Sequence, residues 1–238
     1  MKPLALLVLL ENVGHISGLN LPSPVRAAVD FVSEAYAKAL LRLYGAYRAY
    51  DRVVILEDAE ARGPQLVAAL SETSRTHTTD VFLLVHGLRG ALVGFRGEPL
   101  GKETFGPLLA AGAELRVVYG LNCYGSSLTG TWHALGARVV CGARGVNWFP
   151  EPGLSGFLLA WLGGGTFGEA VERSNRAVRW TAARLFGRNS AAFQSSELHL
   201  SGDAGLRLRE PAAPVDQDDA ADSDQSAYER EGARHLTE

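Results

Sequence analysis

Short apolar runs of strand length alternate along this chain with stretches in which apolar residues recur at helical spacing. That alternation predicts a mainly parallel sheet covered by helices on both faces. The first run, Leu4–Leu10, predicts a buried strand. Ser23 then caps a helix with Pro24 in its first position, where the missing N–H costs nothing. Val25, Val29, Val32, Tyr36, Leu40, Leu43 and Tyr47 continue it. Val53–Leu56 predicts a second strand and Gln65–Leu70 part of a second helix. Asp80–Val85 predicts a third strand, ending at His86-Gly87. A glycine-studded stretch follows, whose alternation at Ala91–Phe95 predicts a hairpin on the sheet rim. Phe105–Ala111 reads as helix and Leu115–Leu121 as a fourth strand, ending at Asn122-Cys123. Ser126–Leu135 reads as a helix closed by Gly136 as a left-handed cap, and Ala137–Cys141 as a fifth strand. Helices over Leu154–Leu162 and Phe167–Leu185 flank the Gly163–Gly165 break. A last strand falls at Leu198–Leu200 or at Leu206–Leu208. The expected fold is α/β, a three-layer α/β/α sandwich around a roughly six-stranded, mainly parallel sheet.

Charge divides the 238 residues unequally. Residues 210–238 hold nine acids against Arg230 and Arg234, a net −7, so the preceding 209 carry +4 of the overall −3. Pro, Ala, Asp, Gln and Ser dominate this tail, with too few large apolar residues to fold. The expected organisation is therefore one α/β domain over 1–209 and an acidic, disordered tail over 210–238. No Lys/Arg run points to a nucleic-acid partner. Two cysteines, Cys123 and Cys141, are too few for a disulfide framework, and a cytoplasmic setting is the default. The opening MKPLALLVLL has the outline of a short signal peptide. It lacks a small-residue cleavage site before Pro22 and is too short to span a bilayer, so a first buried strand is the better account.

The chemistry gathers where two apolar strands stop at a reactive residue, VFLLV at His86-Gly87 and LRVVYGL at Asn122-Cys123. In an open parallel sheet, ligands bind beyond the carboxyl ends of the strands. Were these strands neighbours, His86 and Cys123 would reach one crevice. A cysteine attacks as thiolate, which a nearby imidazole and the positive end of a helix beginning near Ser126 would both favour. The N–H groups of Gly87 and Cys123 are candidates for an oxyanion hole, Gly87 allowing close approach of the backbone. Gly125 frees the turn into the helix.

The paired pattern, an apolar strand with His-Gly and then an apolar strand with a polar residue and Cys, resembles the caspase–hemoglobinase clan of cysteine peptidases. The block EPLGKETFGPLLAAGAELRVVYGLNCYGSS resembles the rim hairpin, helix and Cys strand of its CHAT branch. The resemblance covers about 60% of the chain, from Leu4 to Asn147. It implies a caspase-like sandwich and peptide-bond hydrolysis without metal or organic cofactor, on a protein or peptide substrate. His86 is then general acid or base, Cys123 nucleophile, and Gly87 oxyanion donor. Two departures stop further transfer. The gap from His86 to Cys123 is 37 residues rather than about 50, and LNCYG keeps only the Cys-x-Gly of the caspase motif. Leu121 stands where metacaspases carry an Asp that binds basic substrates. The remaining candidates for a specificity pocket are Glu11 and Asn12 after the first strand, and Arg144 and Asn147 after the fifth.

Other readings compete. Cys141, mid-strand, is expected to be core, and His133 to be solvated or to complement a helix dipole. Trp148 and Phe149 are expected to line a groove or to pack beneath the rim. No cluster of His, Cys and acids has zinc spacing. A non-enzymatic caspase-like binding module would keep the same residues without turnover. An α/β-hydrolase with a cysteine nucleophile is the other rival. It requires G-x-C-x-G, which Gly120–Gly125 misses by one residue, and a downstream acid and His, for which only Glu197/His199 or His199/Asp203 serve.

Overall fold

A computed structural model describes residues 2–11, 34–187 and 191–209. The acidic tail from 210, Asn12 and the Ser23 cap lie outside the described residues. The main sheet is built from β1 (Leu4–Glu11), β2 (Arg52–Glu57), β3 (Thr78–Leu88), β6 (Leu115–Gly120), β7 (Val139–Ala143) and β8 (Leu198–Gly202), in the order β2-β1-β3-β6-β7-β8. All neighbours are parallel except β7 and β8. A hairpin of β4 (Ala91–Val93) and β5 (Pro99–Gly101) extends β3 beyond the rim.

Alternation along the strands sorts side chains onto two faces. On one face Leu6, Val8, Leu10, Phe82, Leu84, Tyr119 and Leu121 form a core. It is closed by α1 (described over 34–43), α6 (Pro150–Trp161) and α7 (Phe167–Phe186). Phe157 of α6 stacks on Tyr119, ring centroids 3.6 Å apart. On the other, Leu7, Leu9, Val81, Leu83, Val118 and Val140 meet α3 (Gly63–Thr76), α4 (Lys102–Ala110) and α5 (Thr129–Ala134). Both faces of the central strands are covered, which is why they read as unbroken apolar runs. The expected three-layer α/β/α sandwich is the observed architecture.

Local signals acted as their chemistry requires. Thr166 and Glu169 form a reciprocal capping box at the start of α7. Gly136 takes φ 83° after α5. The helix through Tyr47 is interrupted at Gly45, whose φ of 85° starts a separate turn, α2 (Ala46–Ala49). The last strand falls at the first of its two candidate places. Asn175 of α7 holds it, accepting from Leu198 N–H at 2.9 Å and donating to the Leu198 carbonyl at 3.0 Å. Leu206 and Leu208 pack into the core instead. A short helix unannounced by the apolar pattern, α8 (Ala191–Ser196), precedes β8.

Candidate active site

Strands β3 and β6 are hydrogen-bonded neighbours, so their carboxyl ends open on one place. Phe82 and Leu84 point into the α1/α6/α7 core, and His86, two residues on, continues that row. Leu121 and Cys123 do the same beyond β6. All four of Leu84, His86, Leu121 and Cys123 line a pocket of about 460 Å³. Leu10, Tyr36 and Ala37 form one wall, and Asn147, Pro150, Glu151 and Leu154 another.

Strand β3 does not stop at His86, as the apolar run predicts. It continues through Gly87 to Leu88 and turns back at Arg89-Gly90 into β4, pairing His86 with Val93. Gly90, at φ 77°, permits the two-residue turn. Leu88 and Ala91 close that turn. Gly87 therefore falls in the next, non-hydrogen-bonded pair, and its N–H turns away from β4 toward the β6 side. A side chain at Gly87 has no room. A Cβ there would lie 2.2 Å from the Cys123 carbonyl oxygen and 2.9 Å from Asn122 Nδ2.

The turn after Cys123 departs from expectation. The chain enters a 3-10 turn at Gly125–Leu128, and regular helix begins only at Thr129 and lasts six residues. Tyr124, not Gly125, takes the left-handed conformation (φ 54°), its N–H donating to the Gly145 carbonyl at 2.7 Å. The Arg89 guanidinium covers its ring at 4.8 Å. Gly125 and Gly142 pack backbone on backbone, since a Cβ on Gly142 would come 2.5 Å from the Gly125 carbonyl carbon and one on Gly125 3.0 Å from the Gly142 Cα. The group that meets Cys123 Sγ is the Asn147 N–H, at 3.4 Å. Asn122 is buried on the opposite side, its Nδ2 donating to the Cys123 carbonyl at 3.3 Å.

The four specificity candidates separate. Asn147 lines the pocket, but its side chain is engaged, donating to the Leu121 carbonyl at 2.8 Å and accepting from Phe149 N–H at 3.1 Å. Glu11 is buried beside Val85 and does not line the pocket. Arg144 is exposed, with its guanidinium 3.4 Å from His199 Nδ1, and does not line it either. Asn12 lies outside the described residues. Glu151 does line it. Being followed by Pro152, it is extended (φ −109°, ψ 141°). Its carboxylate accepts the Ser155 N–H at 3.2 Å. Burial pushes the Glu151 carboxyl up from its ordinary value, and the Ser155 bonds partly offset this.

Away from the pocket, Cys141 is core as expected, 2% exposed, and burial pushes its thiol up to about 12. His133 is tied down rather than solvated, Nδ1 2.7 Å from the Ala137 carbonyl and Nε2 3.0 Å from Ser201 Oγ. Phe149 packs on Val178 and Ala182, whereas Trp148 is exposed. Glu197, His199 and Asp203, the downstream partners a hydrolase needs, line no part of the pocket. Among the described residues no group of three or more His, Cys, Asp or Glu gathers as a metal site. No described helix is long and apolar enough to cross a membrane.

No family model matches the chain, nor does any curated protein. Among solved structures it is similar to the Arg specific cysteine proteinase gingipain R, with a TM-score of 0.56 at 14% identity over 86% of this chain and 47% of that one. It is also similar to the complex of Porphyromonas gingivalis RgpB pro- and mature domains, with 0.54 at 13% identity over 86% and 48%. The chain spans about half the length of the gingipain chains it matches. At such identities the likeness speaks for the fold, and the chain has the caspase–hemoglobinase-like fold that these cysteine proteinases share.

Proposed function

We propose that this protein is a cysteine-type peptidase that cleaves protein or peptide substrates with His86 and Cys123, as a caspase-like relative of the CHAT branch. The observation that carries the reading is that both residues line one pocket from the carboxyl ends of adjacent parallel strands. The Cys123 thiolate attacks the scissile carbonyl carbon, forming a C–S bond. The developing oxyanion takes the N–H groups of Gly87 and Cys123 as donors. Two features support that assignment. The Gly87 N–H is turned away from β4, and the Cys123 N–H has no hydrogen-bond partner among the described residues. As the C–N bond breaks, the leaving amine takes a proton from the His86 imidazolium. Water then attacks the thioester, gives a proton to His86, and releases the acid with the thiolate restored. The Asn147 N–H approaches Sγ at 3.4 Å.

Covalent labelling with peptidyl electrophiles tests the reading. Rapid modification confined to Cys123, and lost or greatly slowed in His86→Ala, is the expected result. Modification no faster than that of a simple thiol, across probes bearing Asp, Asn, Arg, Lys and apolar recognition residues, would leave a caspase-like binding module instead.

A further inference from the structure

Glu151 occupies a distinctive place in the pocket. Leu10, Leu84, Leu121 and Leu154 make the walls apolar, and Glu151 is the only acidic side chain among the described lining residues. No ion pair joins it to a described cation. Its backbone is fixed by Pro152 and one carboxylate oxygen is anchored on the Ser155 N–H, so the charge is held in place rather than swung into solvent. A half-buried carboxylate without a counter-ion is costly, and an incoming cation relieves that cost.

Resting on the peptidase reading, we propose that Glu151 is the specificity-determining residue, selecting substrates with a lysine or arginine side chain beside the bond that Cys123 attacks. The aliphatic stem of such a side chain lies along Leu84, Leu121 and Leu154 while its head reaches the carboxylate, the division of labour long basic side chains favour. The pocket is of a size that takes ligand groups of this kind. An aspartate or glutamate in the same place would face a like charge in an apolar cleft and be rejected. The acid comes from the start of α6 and not from the position two residues before the cysteine, which here is Leu121. Sequence comparison around Cys123 therefore does not find it.

The test uses the full chain and irreversible peptidyl ketones that differ only at the recognition residue: lysine, arginine, aspartate, or norleucine as the uncharged counterpart of lysine. Rates of modification at Cys123 are read by intact mass and peptide mapping. In the native protein the lysine or arginine probe should react about tenfold to a hundredfold faster than norleucine, the range expected of one charge-assisted contact, with aspartate slowest. Glu151→Gln keeps a carbonyl oxygen for the Ser155 N–H and should bring the lysine-to-norleucine ratio close to one. Norleucine matching lysine in the native protein would overturn the proposal, even if the variant did not fold. An undiminished ratio in folded Glu151→Gln would overturn it too. If no probe modifies Cys123 faster than a simple thiol, the peptidase reading itself fails, and the specificity assignment with it.

Discussion

Strands β3 and β6 carry a polar pair at each end, and the fold treats the two pairs in opposite ways. At the amino ends, Asp80 and Arg116 are shut inside. Arg116 Nε donates to Asp80 at 2.7 Å, Tyr50 Oη donates to the same carboxylate at 2.8 Å, and Trp161 Nε1 donates to Tyr50 Oη at 2.9 Å. The Leu208 carbonyl takes another Arg116 N–H at 2.9 Å. Asp80 is fully buried. At the carboxyl ends, His86 and Cys123 are only half-buried, Cys123 Sγ meets a backbone N–H, and a pocket stands open before them. Asp80 and His86 stand six residues apart and Arg116 and Cys123 seven, so the same two strands lead from a satisfied, closed network to a His and a Cys that line an open pocket. A polar group can serve structure where partners surround it, and chemistry where one side is left for a substrate.

Substitutions at the two ends should therefore fail differently. Cys123→Ala should abolish probe labelling at that site and lower turnover on the order of a thousandfold or more. Its unfolding free energy should shift by less than about 1 kcal/mol. Stability loss in step with activity would erase the contrast. Asp80→Ala should do the reverse, costing about 3–5 kcal/mol in urea titrations because it leaves Arg116 buried without its partner. Replacing both, as Asp80→Leu with Arg116→Met, should recover much of that loss. An Asp80→Ala cost under about 1 kcal/mol would mean that the network carries no structural weight. Gly87→Ala lies between the two classes. Its methyl must displace the Cys123 carbonyl, so about 1–3 kcal/mol of stability should go along with most labelling at Cys123.

Cys141 offers the smallest effect and a built-in control. With its folded pKa raised from 9.0 to about 12, it should stay unmodified by iodoacetamide at neutral pH while Cys123 reacts. Its contribution to stability is fully present below about pH 9 and is lost as pH rises toward 12, because the unfolded chain ionises first. Cys141→Ala should flatten that alkaline decline in thermal unfolding. A slope unchanged by the substitution would place the effect elsewhere.

How much of this could be read from the chain differs between the two ends. That His86 and Cys123 come to one pocket was legible because each stands where an apolar run gives out, His86 directly after VFLLV and Cys123 after VVYGL and Asn122. Asp80 gave no such signal. It begins a run just as a solvated residue would, and Arg116 looks like an interruption in LRVVYGL. Their meeting depends on β3 and β6 being neighbours and on Tyr50, Trp161 and Leu208 arriving from distant parts of the chain. Glu151 was hidden for a related reason. Pro150 and Pro152 announce a helix start, and nothing local says that this start borders the crevice of Cys123. Glu11 and Arg144 stand at strand ends, yet strand ends radiate in several directions and these two miss the pocket.

The sequence by itself determined the layers of this protein, because periodicity and the positions of Gly and Pro are local properties that each segment carries alone. It also determined which strand ends carry His86 and Cys123. Only the tertiary structure decided how β3 continues past His86 into a hairpin, how Tyr124 and the Gly125–Gly142 contact tighten the turn after Cys123, and which acid faces the pocket. Those outcomes depend on the order of strands and on close approach between backbones far apart in the chain, and no pattern along a single segment encodes them.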